Sequence, residues 1–198
     1  IGIVVPIDYL SVYGGAVQRI KADVAALIDS GYNLEMIFPS RINQPQHDLP
    51  SGLTLVTYPN IQGAMFLPEK VRLLFDMHTQ MFNPLFRSTL RKRCGTYSVI
   101  FAHSPWSVMA SYKVVKQETP LIYVAHNFEY GLIKQATRNP LIHRLVHYVE
   151  NYACQKATKI LCVSQVDMDV LEKTYRIQAA KLALLPNTVD VDFCSQTH

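Results

Sequence analysis

Seven short apolar runs recur along the 198-residue sequence, and the stretches between most of them carry helical spacing. The runs span residues 1–6, 33–38, 53–58, 98–102, 121–125, 160–163 and 182–185. Most are continuous rather than alternating, as when Ile3, Val4 and Val5 follow one another. A strand that is apolar on both sides needs cover on both sides. Alternation of such strands with helices predicts an α/β fold, a doubly wound and mostly parallel sheet with helices on both faces. A hydrophobic share of 49% is enough for the core this requires.

The first helix is the plainest. Val17, Ile20, Val24, Leu27 and Ile28 keep the spacing of one apolar face, and Gly31 supplies a stop. It follows Tyr13-Gly14-Gly15, where backbone without Cβ can approach a ligand. Free N–H groups and the positive dipole end at such a helix start favour an anion such as phosphate, although an ordinary strand–helix turn has the same sequence. Residues 41–52 read as a surface loop. Residues 64–93 mix apolar side chains with a basic end, Arg87, Arg91, Lys92 and Arg93; Pro68 suits a first helical turn, and Pro84 breaks or kinks the segment. A short helix through residue 116 follows His103-Ser104-Pro105-Trp106. A long helix covers 140–157. Ser164 is read as the N-cap of the last helix, with Asp167 as its capping-box partner and Val166, Val170, Leu171 and Tyr175 on its apolar side.

In a sheet of this kind ligands bind beyond the carboxyl ends of the strands. The candidates are therefore Gly14 and Gly15, His103 to Trp106, His126 to Tyr130, and Ser164, all on one rim. His126 directly follows an apolar strand in a loop with Asn127 and Glu129. Its imidazole can exchange hydrogen bonds with hydroxyls and titrates near neutral pH, or it can cap the strand end through the backbone. His103 occupies the same place one strand earlier.

Several classes are excluded. The sequence has no dinucleotide-binding glycine fingerprint, no P-loop and no G-x-S-x-G elbow. No apolar run is long enough to span a membrane, and no signal-peptide pattern is visible. A net charge of +4 does not require nucleic acid. The four cysteines, Cys94, Cys154, Cys162 and Cys194, are scattered, which predicts reduced cytoplasmic thiols rather than a metal cluster. His143, His147 and Glu150 share a helix face, but Arg144 among them opposes a metal, so polar helix contacts are the expected role.

Taken in order, the motifs resemble the N-terminal, acceptor-side domain of a family 4 glycosyltransferase of GT-B architecture. They are Tyr13-Gly14-Gly15, then Val99-Ile100-Phe101-Ala102-His103-Ser104, then Tyr123-Val124-Ala125-His126-Asn127-Phe128-Glu129-Tyr130. The closing pair is Ala157 to Ser164 with Lys181 to Asp190. Thr188 stands where the family's motif has glycine after Asn187.

The resemblance implies a Rossmann-like lobe over residues 1–198 and a nucleotide-sugar-binding lobe lying outside them. The residues here would then transfer no sugar alone. It implies that His126 sits at the sugar-transfer point and that Tyr13, Gly14, Gly15, His103, Asn127, Glu129 and Ser164 line the donor and acceptor site. It further implies retention of anomeric configuration, no metal, no cofactor beyond the nucleotide-sugar co-substrate, and a glycan or lipid-linked acceptor. Polysaccharide biosynthesis in the cytoplasm fits it. The apolar, basic segment 65–93 is expected to pack in the core; contact with anionic lipid headgroups at the membrane surface is the alternative. Two other functions share the architecture: a non-catalytic sugar- or nucleotide-binding module, and half of a nucleotide-sugar epimerase.

Overall fold

A computed structural model describes residues 1–6, 15–40, 49–59, 82–115 and 118–187. Seven parallel strands form one sheet in the order β3-β2-β1-β4-β5-β6-β7. They are β1 (Gly2–Val4), β2 (Leu34–Ser40), β3 (Leu53–Pro59), β4 (Ile100–Ala102), β5 (Leu121–Ala125), β6 (Lys159–Cys162) and β7 (Leu182–Leu184). The helices are α1 (Gly15–Asp29), α2 (Pro84–Arg93), α3 (Pro105–Tyr112), α4 (Glu129–Ala136), α5 (Pro140–Lys156) and α6 (Gln165–Tyr175).

The two faces of the sheet are told apart by alternation along its central strands. Ile3 and Val5, with Leu34, Met36 and Phe38, pack against Val17, Ile20 and Val24 of α1. Val4 and Ile37 point the other way, into a larger core with Phe86 and Leu90 of α2, Val108 of α3, Ala153 of α5 and Leu171 of α6. Both faces are thus covered, as the continuous apolar runs require.

Three helices start on the same two-residue device, a polar cap followed by proline: Asn83-Pro84, Ser104-Pro105 and Asn139-Pro140. Proline gives up an N–H that the first turn does not use, and the cap oxygen takes N–H groups that would otherwise be orphaned. Pro84 therefore begins α2 rather than kinking a longer helix. Asn83 Oδ1 accepts from the N–H groups of Leu85 and Phe86 at 2.9 and 3.3 Å, and its Nδ2 donates to the Pro59 carbonyl at 3.0 Å. Gly31 does end α1, with a φ of 83° that disfavours a side chain. On α6, Leu171 and Tyr175 are buried as expected, but Val166 is 72% exposed. Val166 lies in the first turn, beyond the edge of the core.

No helix among the described residues is long and apolar enough to cross a membrane. Of the basic apolar segment, only its end is described: Phe86 and Leu90 are core residues, while Arg91, Lys92 and Arg93 face solvent.

Candidate functional site

Because every strand is parallel, the carboxyl ends of β1, β4, β5 and β6 lie on one edge. The strand order turns back between β1 and β4, and crevices open at such switch points. Gly15 opens α1 at this edge. A Cβ built on Gly15 meets no atom within 4 Å among the described residues outside its own turn.

His103 follows β4, and its N–H donates to the Val4 carbonyl at 2.9 Å, which ties the loop to the end of β1. His126 follows β5. The two rings meet: His103 Nδ1 and His126 Nε2 are 3.1 Å apart, and the rings stack with centroids 5.3 Å apart. His103 is buried and His126 partly so. Burial lowers the pKa of His126 to about 4, and the positive charge of Arg19 adds to the effect. Burial, then His126, then Arg19 hold His103 well below the usual histidine range. At neutral pH both rings are uncharged, so one donates and the other accepts.

Arg19 had no signal in the sequence. It stands 200° around α1 from Val17, off the apolar stripe, yet only 4% of it is exposed. What buries it is the segment after β7. Its Nη1 donates to the Leu185 and Pro186 carbonyls at 2.8 and 2.6 Å and lies 3.5 Å from Asn187 Oδ1; its Nε donates to Asp23 at 2.8 Å.

After His126, Asn127 is exposed and Glu129 is partly buried. Glu129 opens α4 rather than lying in a loop. Burial and the neighbouring charge of Glu150 push its carboxyl up to about 7. Glu150 of α5 is fully buried and serves as the cap of α4. Its carboxylate accepts from the N–H groups of Glu129 and Tyr130 at 2.8 and 3.0 Å, and from the Tyr175 hydroxyl at 2.8 Å. A carboxylate at a helix N-terminus suits the dipole. The helix-face trio therefore separates into three jobs. His143 Nε2 bonds to the Thr137 carbonyl at 2.7 Å, His147 packs edge-on against Tyr130, and Glu150 caps α4. No group of metal-ligand residues occurs among the described residues.

Ser164 caps α6. Its Oγ accepts from the Asp167 N–H at 3.1 Å and donates to Asp167 Oδ2 at 2.6 Å. Asp167 Oδ1 accepts from the Phe128 N–H at 3.2 Å instead of closing a full capping box, so α6 and the His126 loop are joined. The structure brings His103 and His126 into contact; Gly15, Asn127, Glu129 and Ser164 follow strand ends on the same carboxyl edge of the sheet. Tyr13 and Gly14 lie outside the described residues, as does Cys194. Cys94, Cys154 and Cys162 are buried free thiols.

The family model described as Glycosyltransferase Family 4 matches residues 13–193. No curated protein matches the chain by sequence. Among solved structures, sucrose-phosphate synthase from Thermosynechococcus elongatus superposes with a TM-score of 0.72 at 16% identity, over 96% of this chain and 48% of its own. A second structure of that enzyme gives 0.62 at 14% identity, over 99% of this chain and 93% of that one. Arabidopsis thaliana UGT89C1 complexed with quercetin gives 0.56 at 11% identity, over 98% and 53%. These likenesses establish the fold, one lobe of the GT-B architecture. The chain spans about half the length of the first structure.

Proposed function

Since the chain belongs to glycosyltransferase family 4, we propose that it is the acceptor-side lobe of a retaining glycosyltransferase. In this reading a sugar passes from a nucleotide-sugar to a glycan or lipid-linked acceptor. The observation that carries it is the contact between His103 and His126 at the ends of β4 and β5, on the carboxyl edge of a parallel sheet whose strand order turns back between β1 and β4.

The chemistry needs two things from this rim. The bond from the anomeric carbon to the diphosphate breaks while a bond to an acceptor oxygen forms, and the acceptor's hydroxyl proton passes to the departing diphosphate. Backbone N–H groups at the Gly15 end of α1 offset the charge left on the diphosphate. A neutral imidazole at His126 orients a sugar hydroxyl without bringing a competing cation, and Glu129 stands in the next turn to hold or release a proton near neutral pH. Most of the donor is held by a second lobe in this reading, so residues 1–198 alone transfer no sugar. Buried unpaired thiols fit a reducing cytoplasm.

The test is a transfer assay on the full-length gene product over a panel of nucleotide-sugars, with the anomeric configuration of the product read by NMR. Retention is expected. His126→Ala is expected to lower kcat/KM at least about 100-fold with the fold intact by circular dichroism. Gly15→Ala adds a methyl that meets no atom of the described residues outside its own turn, so it is expected to leave stability unchanged and raise the donor KM. Wild-type turnover in His126→Ala, or an inverted product, overturns the assignment.

A further inference from the structure

Arg19 lies in the second turn of α1, by the middle of the sheet, whereas residues 185–187 follow β7 at the sheet's far edge. Leu185 is still held by the sheet: its N–H donates to the Cys162 carbonyl at 2.8 Å, the rung after Leu184 pairs with Cys162. Its own carbonyl accepts from Arg19 Nη1 at 2.8 Å, so the guanidinium links α1 to the chain directly as it leaves β7.

A buried guanidinium with one carboxylate and several carbonyl partners is well satisfied, and its planar fork is what such a junction needs. Among the described residues Asp23 is its carboxylate partner. The charge of Arg19 still lowers the pKa of both rings of the histidine pair.

We propose that Arg19 is a positioning residue of this rim: it fastens segment 185–187, where the chain leaves β7, to the start of α1 and thereby fixes the setting in which the His103–His126 pair meets its ligand. Arg19 acts electrostatically on both rings, and His126 acts on His103. A cation held there opposes any proton arriving on either imidazole. The pair therefore stays a neutral donor–acceptor couple over the working pH range. In the transferase reading this makes Arg19 the link between the chain's exit and the reacting sugar; its structural role holds without that reading.

The experiment measures two quantities on the 198-residue chain. Long-range ¹H–¹⁵N spectra give the titration midpoints of the His126 and His103 rings. Hydrogen exchange gives the protection of the Leu185 amide, with the Gly2 amide, bonded to the Val99 carbonyl, as internal reference. Arg19→Met is expected to raise the His126 midpoint, with burial still holding it below 6.5, and to speed Leu185 exchange at least about tenfold relative to Gly2. Arg19→Lys keeps the charge and loses the fork. It is expected to hold the midpoint low and still speed Leu185 exchange. Should Arg19→Met not fold, Arg19→Lys and Asn187→Ala decide. Leu185 exchange unchanged in both, or in a folded Arg19→Met a His126 midpoint that does not move, overturns the proposal. No sugar donor is needed for either readout, so a negative result here leaves the transferase assignment standing. Absence of transfer likewise leaves the role of Arg19 standing.

Discussion

At the scale of single residues, His126 and Glu129, three positions apart, respond to acid in opposite senses. The pKa of His126 falls to about 4 in the folded protein, below its unfolded value of 6.5. Its stability contribution is present above 6.5 and is lost as the pH drops toward 4, because the unfolded chain takes the proton first. Glu129 is raised to about 7 from 4.5. Its contribution is complete below 4.5 and is lost as the pH climbs through 7, because the folded state then has to carry an extra buried charge. Glu129→Gln removes that charge. Urea melts are expected to show the variant gaining up to roughly 3 kcal/mol over wild type at pH 8 and little at pH 5. His126→Asn is expected to flatten the loss of stability between pH 6.5 and 4.

The histidines were legible in the sequence because each directly follows an apolar strand, a position that chain topology alone makes informative. Arg19 was not. Periodicity puts it on the solvent side of α1, and the atoms that bury it come 166 residues later. Local spacing carries no trace of such a partner.

At the scale of elements, the same distinction separates α1 from α4. The stripe and the Gly31 stop mark α1 within its own residues. By contrast, α4 has only eight residues, contains Gly131, and takes no side-chain cap from its own N-cap residue, Phe128. Read locally, residues 126–130 look like a loop. What makes the helix stable is the carboxylate of Glu150, one helix further on. Glu150→Ala leaves two backbone N–H groups and the Tyr175 hydroxyl without their acceptor. Each buried donor left unmet costs about 1–3 kcal/mol, so a loss on the order of 3–5 kcal/mol is expected in chemical denaturation, with Glu129 and Tyr130 amide protection falling first. Equal stability of the variant and the wild type counts against the cap. Asn83, Ser104 and Asn139 teach the converse: where cap and proline are adjacent in sequence, the helix start can be read directly.

At the scale of the whole molecule, the sheet core and a smaller apolar cluster between α3 and α5 are not separate units. Trp106 and Met109 of α3 pack with Val146 and Val149 of α5, while Val108 of α3 and Ala153 of α5 belong to the sheet core. The same two helices thus serve both clusters. Trp106 is the single tryptophan and is buried, so its fluorescence reports on the smaller cluster. Fluorescence and far-ultraviolet circular dichroism are therefore expected to give coincident denaturation midpoints. An earlier fluorescence transition shows instead that α3 and α5 detach before the sheet.

The parallel arrangement also leaves a second edge, where strands begin. The turns at Gly31 and Gly52, with φ of 83° and 97°, feed β2 and β3 from that side. They lie a full strand length from the histidines. A fluorophore or affinity handle attached at that edge rides on the molecule without crowding the rim, so immobilised protein presents the histidine rim to whatever is passed over it.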